Sequence, residues 1–373
     1  MKEPDNQSAP PVLPPQQMGP QPGPPPQRHG TARYVFLFLF FLLAGGFLFA
    51  AWFFSSVGDA LAMPNNTAYT EVTMRAGDPQ KRIAVVDVRG MISSYMSVGD
   101  SMPLRIQKQL DLAAADDRIK AVILRIDSPG GEVMASDKIA KAIREFQEKS
   151  EVPVIACMEG LAASGGYYVA APCQLIVANE LTITGSIGVI MQSLNLHGLL
   201  DKVGVQPVTY KSGKNKDMLD PFGPPENTTP EQKKILDDFI QETYAKFVDV
   251  IEKGRAKKGL RSTDHAKPLA TDWKDYADGR ILTGRQAEEL GMVDALGDFD
   301  RAVELAEDIT GISKGTARII RHDPPVNLGG ILRLLGKAEE TKQPPTIKVD
   351  LGLDIPKLQP GRAYYLSHHL LAD

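Results

Sequence analysis

The sequence predicts an α/β protein with a largely parallel sheet, preceded by one N-terminal transmembrane helix. Three observations carry that expectation. From Ile83 onward, short apolar runs rich in Ile, Val and Ala alternate with segments of helical periodicity, the pattern of strands joined by crossover helices. Residues 34–58 run 25 positions without a charge. The first 32 residues hold ten of the 28 prolines and almost no large apolar side chains, so an ordered core has to begin later.

The chain of 373 residues divides by composition. Residues 1–33 form a proline-rich leader that buries too little surface to offset chain entropy and is expected to be disordered. Residues 34–57 are the membrane span: at about 1.5 Å per residue the run reaches roughly 37 Å, and a bilayer core is about 30 Å thick. Trp52 suits an interfacial anchor, and Arg28 and Arg33 precede the span while Arg75 is the first basic residue after it. That asymmetry places the N-terminus in the cytoplasm and the rest of the chain outside it, in the plasma (inner) membrane. Ala60-Leu61-Ala62 has the form of a signal-peptide cleavage site, but the apolar run and its leader are too long for a cleavable signal. A polar linker, 58–81, leads into a domain at 82–321, and prolines and glycines return in a C-terminal extension, 322–373.

Within the domain the expected strands are 83–88, 121–126, 152–158, 175–178, 184–190 and 205–210. The first ends at Arg89-Gly90, and the second runs directly into Asp127-Ser-Pro-Gly-Gly131. A helix at 103–115 would use Leu104, Ile106, Leu110 and Leu112, and the next would place Ile139, Ile143 and Phe146 on one face. Thr229-Pro-Glu-Gln232 is a capping box with proline at the first helical position. The helix behind it carries a stripe of Ile235, Leu236, Phe239, Ile240, Phe247, Val248 and Ile251, read as core or subunit contact. A short helix-turn unit follows at 279–296, and a last helix at 299–309.

Composition narrows the chemistry. A formal net charge of −4 gives no reason to expect nucleic-acid binding. The two cysteines, Cys157 and Cys173, lie in apolar runs and read as buried thiols, and no Cys/His cluster has metal-ligand spacing. No metal or cofactor is expected.

The candidate nucleophile is Ser164, set among small residues in Gly160-Leu-Ala-Ala-Ser-Gly-Gly166. Small neighbours allow a sharp bend and a close approach, although an incidental serine in a tight turn would look the same. A serine nucleophile needs a base and donors for an oxyanion. None of the six histidines sits beside an acid motif, Ala162 stands where a G-x-S-x-G elbow requires glycine, and no serine is followed by lysine at the third position. A lysine base remains, with Lys211, Lys214 and Lys216 as candidates in Lys211-Ser-Gly-Lys-Asn-Lys-Asp217. A lysine of ordinary pKa, about 10.4, serves as a base near pH 7 only if burial lowers it by roughly three units, about 4 kcal/mol.

Four motifs occur in one order: Asp127-Ser-Pro-Gly-Gly131, Ala163-Ser-Gly-Gly-Tyr-Tyr168, Thr184-Gly-Ser-Ile-Gly188 and Ser212-Gly-Lys-Asn-Lys-Asp217. With Leu282-Thr-Gly-Arg-Gln-Ala287 and Gly291-Met-Val-Asp294, they make residues 83–305 resemble the signal peptide peptidase A family. These are membrane-anchored Ser/Lys serine proteases of the Clp/crotonase superfamily, and the chain is similar to their short, single-repeat form. The resemblance implies a Clp/crotonase-like spiral of β-β-α units assembled into a homo-oligomer. It implies Ser164 as nucleophile, Lys216 as general base and Ser186 as the residue that orients the lysine amine. The amides of Gly130 or Gly131 and of Gly165 would form the oxyanion hole. It also implies extended apolar peptides as substrates, above all signal-peptide remnants, and a lysine that can serve the serine of a neighbouring subunit. The alternatives are a non-catalytic membrane scaffold or chaperone and a crotonase-type acyl-CoA enzyme, both on the same fold.

Overall fold

The computed structural model describes residues 42, 45, 46, 49, 69–95, 101–256, 261, 263–324 and 364–366. Residues 1–66 and 67–373 form separate units. In the first, Leu42, Gly45, Gly46 and Phe49 are helical and exposed. The expected span at 34–57 and the leader otherwise lie outside the described residues, and among the described residues no helix is long and apolar enough to cross a membrane.

The second unit is built on a mixed but mainly parallel sheet. Its strands and helices in chain order are β1 (Thr70–Arg75), β2 (Asp78–Arg89), α1 (Met102–Ala114), β3 (Ile119–Ser128), β4 (Gly130–Glu132), α2 (Val133–Ser150), β5 (Val154–Ala162), α3 (Gly165–Ala170), β6 (Leu175–Ala178) and β7 (Ile183–Gly185). There follow α4 (His197–Val203), α5 (Pro230–Arg255), β8 (Ile281–Thr283), α6 (Gly284–Glu289), β9 (Ala295–Leu296), α7 (Phe299–Ile309), β10 (Ala317–Asp323) and β11 (Tyr364–Leu366). The main sheet runs β1-β10-β2-β3-β5-β6-β9, parallel at every pairing except that of β1 with β10.

Both faces of this sheet are covered, which is why its strands read as nearly continuous apolar runs. Ala84, Val86, Leu124, Ile126, Ala156 and Met158 share one core with Ile106, Leu110, Ile139, Ile143, Tyr167, Tyr168 and Phe247 from the helices. The alternate residues Ile83, Val85, Ile123, Ile155 and Val177 pack with Ala302, Val303, Leu305 and Ala306 of α7 on the other face. Cys157 and Cys173 are buried free thiols, and burial pushes both up to about 12, so neither is a nucleophile near neutral pH.

Several expectations are corrected. The linker ends early, because residues 70–75 already belong to β1 and residues 78–81 to the start of β2. The extension begins late: β10, not anticipated, runs to Asp323 and places His322 in a strand, paired antiparallel with Glu71 of β1. In α1 only Ile106 and Leu110 of the four expected apolar positions are buried, Leu104 and Leu112 being exposed, while Met102 and Ala113 complete the buried face. The fifth strand shrinks to β7. The sixth, 205–210, is no strand at all: those residues are exposed and join no ladder, and a strand has no independent stability without one.

The capping box on α5 is present in full, with Thr229 Oγ1 accepting from Gln232 N and Gln232 Oε1 accepting from Thr229 N. Of the stripe behind it, Phe247 and Ile251 are core, whereas Ile235 and Phe239 nearer the start are exposed.

Candidate active site

Ser164 stands at the junction of β5 and α3. The apolar run of β5 is held centrally in the sheet and stops at Ala162, whose carbonyl accepts from Thr184 Oγ1 at 2.7 Å. Ala163 N donates to Ser128 O at 3.2 Å and Ser164 N to Gly185 O at 2.8 Å, so the turn is pinned from both sides. Gly165 and Gly166 let it come close to the neighbouring turn: a methyl group on Gly165 would lie 3.0 Å from Gly131 N, and one on Gly166 would lie 2.8 Å from Ser128 O.

The serine itself is strained. It has φ 53° and ψ −115°, a conformation that costs a residue with a side chain about 1–3 kcal/mol. It is fully buried, and its Oγ has no hydrogen-bond partner, although buried hydroxyls ordinarily find one. Ser186 also has positive φ, 50°, is nearly buried, and follows the Gly185 that accepts from Ser164 N. Its own N–H donates to Arg280 O at 2.7 Å. Two of the three residues with a side chain and positive φ among the described ones are thus these two serines. Strain of this kind persists only where the surroundings over-determine it, and the pinned turns supply that constraint.

The Pro-Gly-Gly turn discriminates between its two glycines. Gly130 N donates to Ser128 Oγ at 3.1 Å, and Ser128 Oγ in turn donates to Gly90 O at 2.7 Å. Ile92 N donates to Gly130 O and Glu132 N to Ile92 O, each at 2.8 Å. Backbone groups alternate along a strand, so the N–H and C=O of Gly131 face away from Ile92. The N–H of Gly131 therefore points to the side of β4 on which β11 lies, with Tyr365 opposite Gly131, while the N–H of Gly130 is engaged by Ser128. Gly131 must be glycine, because a Cβ there would stand 1.9 Å from Ile92 O. Ser128 was not singled out from the sequence; a serine just ahead of Pro-Gly-Gly was the available signal, since such hydroxyls bond to nearby turn backbone.

Lys216 is placed differently. It lies in an exposed stretch after α4, where its N–H donates to Gly213 O at 3.1 Å, and it helps to line a shallow cavity of about 310 Å3 with Thr209, Tyr210, Lys211 and Asp217. Among the described residues no hydrogen bond or ion pair joins it to Ser164 or Ser186. The three candidate lysines are nonetheless unlike one another. Lys211 Nζ is 2.7 Å from Asp217 and Lys214 Nζ is 2.7 Å from Glu231, whereas the Lys216 amine has no carboxylate partner among the described residues. The ammonium of Lys211 holds Asp217 below the usual carboxylate range.

Of the two remaining matched motifs, Gly291-Met-Val-Asp294 is structural. Asp294 is fully buried and bonds both Arg255 and Arg261, with Arg261 Nη1 at 3.1 Å. It also accepts from Ile176 N at 2.8 Å and Lys267 N at 2.9 Å, tying β6 to the segment after α5. Burial alone would raise its carboxyl, but the charges of the two guanidinium groups outweigh burial and hold it below the usual range.

A strained, unpaired hydroxyl can carry out acyl transfer, attack on a carbonyl, where N–H groups are available to stabilise the resulting oxyanion. The comparisons with known proteins agree with that chemistry. The model of peptidase family S49 matches residues 146–313, and the Clp protease model matches residues 80–176. A Synechocystis sp. protein provisionally named as a protease is 36% identical over 275 residues, covering 74% of this chain and 89% of its own length. A protein of Enterococcus faecium provisionally named signal peptide peptidase SppA is 38% identical over 240 residues, 63% of this chain and 65% of its own. Protease 4 of Haemophilus influenzae is 32% identical over 242 residues, 63% of this chain and 36% of its own. The chain thus spans less than two thirds of the length of the latter two relatives. On these matches, the chain belongs to peptidase family S49, the serine peptidases related to signal peptide peptidase A.

Proposed function

We propose that the protein is a membrane-anchored serine endopeptidase with a Ser164/Lys216 dyad that degrades signal-peptide remnants and other extended apolar peptides. The observation that carries this reading is the buried, unpartnered Oγ of Ser164 in a strained backbone conformation, beside the N–H groups of Gly131 and Gly165. Ser164 Oγ attacks the scissile carbonyl, its proton passes to the neutral Lys216 amine, and the carbonyl oxygen becomes an oxyanion held by the two N–H groups. Lys216 then protonates the departing amine as the C–N bond breaks. Water, deprotonated by the same amine, attacks the acyl-enzyme, and the lysine returns that proton to Ser164 Oγ as the acyl C–O bond breaks and the carboxylic acid product leaves. Ser186, held next to Gly185, orients the lysine.

Because Lys216 stands on an exposed segment with no contact to Ser164, the reading includes a homo-oligomer in which a second copy supplies the lysine. The exposure of Leu194, Val208, Tyr210 and Phe222 in the same segment supports it, since apolar side chains that face water in one chain can be covered by another. A spiral of β-β-α units assembled into a ring, and an anchor at 34–57 that holds the domain on the extracytoplasmic side of the inner membrane, complete the proposal. The span places the domain where remnants of cleaved signal peptides remain.

A fluorophosphonate probe tests the nucleophile. The full-length protein should be labelled, the modification should map to Ser164, and Ser164→Ala should not react; equal labelling of that variant would remove Ser164 from the mechanism. Gly131→Ala keeps the N–H but should still lower kcat by roughly 10²–10³, the cost of one oxyanion donor, because a Cβ 1.9 Å from Ile92 O forces that N–H out of place. An unchanged kcat in that variant would transfer the donor's role elsewhere.

A further inference from the structure

The buried cluster around Asp294 carries more positive charge than it neutralises. Asp294 is paired with both Arg255 and Arg261, and two guanidinium groups against one carboxylate leave one positive charge. Burial and the neighbouring charge of Arg255 hold the Arg261 guanidinium below its usual value. The hydrogen bonding of the cluster is incomplete as well. Arg261 Nη1 donates to Gln174 O at 2.8 Å and Nη2 to Lys267 O at 2.9 Å, but its Nε has no acceptor, and neither has Arg255 Nε. Gln174 is only 5% exposed, and no donor reaches its Oε1. Three of the eight unpaired buried side-chain atoms among the described residues therefore belong to these three side chains. Buried polar groups ordinarily find partners, so a concentration of unmet bonds at one place points to a ligand.

Arg261 and Gln174 both line a cavity of about 1000 Å3, a size that takes a whole small molecule. Arg144 and Lys253 bring further positive charge to its wall, and Glu148 and Glu151 bring negative charge. Lys253 is already paired with Asp249 at 2.8 Å, whereas Arg144 has no carboxylate partner among the described residues. Glu148 and Glu151 are exposed, and neither is paired with a guanidinium. We propose that this cavity binds a small phosphate ester bearing a hydroxyl group: phosphate oxygens accept from Arg261 Nε and from Arg144, and the hydroxyl donates to Gln174 Oε1. The charge selects the phosphate. It carries up to two negative charges, where the buried cluster leaves one positive charge and Arg144 adds another. Guanidinium groups suit such oxyanions because their donors lie in one rigid plane. The Gln174 oxygen selects the hydroxyl, since an ionised oxyanion is an acceptor only. Water could complete the hydrogen bonds but would leave the charge unanswered. The inference does not rest on the peptidase reading.

Equilibrium dialysis of radiolabelled glycerol 3-phosphate against the full-length protein, at fixed ionic strength, tests this. The protein should retain the label, and Gln174→Met and Arg144→Gln should each weaken binding about fivefold, the worth of one hydrogen bond. Both variants leave Asp294 and its two arginines in place, and a calorimetric Tm close to that of the unaltered protein separates lost binding from lost folding. Unlabelled sulfate, which has the charge but no hydroxyl, should compete at least about fivefold less well than unlabelled glycerol 3-phosphate, and glycerol should not compete. No retention of label would overturn the site and leave the cavity to water. Unchanged affinity in either variant would overturn the placement, and equal competition by sulfate would overturn the role of the hydroxyl. Mixed micelles identify the source of the ligand. Displacement of the label by phosphatidylglycerol but not by phosphatidylcholine assigns a lipid head group, and displacement by neither assigns a soluble ester.

Discussion

Lys216→Ala and Ser164→Ala should each lower kcat for peptide hydrolysis by roughly 10⁴–10⁶, and the double variant should lose no more than either alone. Residues that act as one unit on one proton do not have additive effects. Lys211→Ala and Lys214→Ala should cost less than about tenfold, because those ammonium groups are already engaged by Asp217 and Glu231. A loss from either as large as that from Lys216→Ala would reassign the base. Steady-state hydrolysis of a quenched fluorescent apolar peptide by each full-length variant measures this. The same variants report on the subunit arrangement. If a neighbour supplies the lysine, mixing Ser164→Ala and Lys216→Ala chains before assembly restores sites in which an intact serine meets an intact lysine. Activity should then return to a sizeable fraction of the unaltered level, whereas two inactive partners that stay inactive together would confine the dyad to one chain.

Asp294→Asn should destabilise the fold by about 3–5 kcal/mol, the cost of removing the carboxylate from a buried ion pair. Two guanidinium groups, Arg255 and Arg261, depend on this single carboxylate. The surplus positive charge is faced by the backbone carbonyls of Cys173, Gln174 and Lys267, none of which can replace an anion. For a domain of this size the loss corresponds to roughly 10 °C in Tm, readable by calorimetry. A shift under about 2 °C would show that the cluster is not the clamp described. Because the Asp294 carboxyl is held below its unfolded value, its contribution is present above the unfolded pKa and disappears as pH falls through the folded one. Unaltered protein and variant should therefore converge in Tm only in acid.

How much of this was legible beforehand differs by element. The central strands were, because a parallel strand buried on both faces is written as a continuous run of Ile, Val and Ala, and Ile83 and Val85 are spent on one face while Ala84 and Val86 are spent on the other. The cap of α5 was legible because a capping box is satisfied by residues three apart. The strand expected at 205–210 was not real, and β10 was not foreseen, for one reason. Whether an apolar run becomes a strand depends on a neighbour with unpaired backbone, and that neighbour is distant in the chain: β10 pairs with β2, more than two hundred residues away.

The opposite holds at the site. Ser164, Ser186 and the glycines could be placed in roles by resemblance, but composition left Ser164 indistinguishable from a turn serine. Its positive φ, its unpartnered hydroxyl and the direction in which the Gly131 backbone faces follow from contacts between segments far apart in sequence. By itself the sequence determined which segments are buried, which residue types could do acyl chemistry, and which lysines were available, since these depend on local composition and spacing. Only the tertiary structure decided which glycine amide of β4 is engaged by Ser128, which lysines are held by carboxylates, and that the tail returns to β4. Backbone N–H direction, charge pairing and strand addition are set by the neighbour across the gap, and the linear sequence does not name that neighbour.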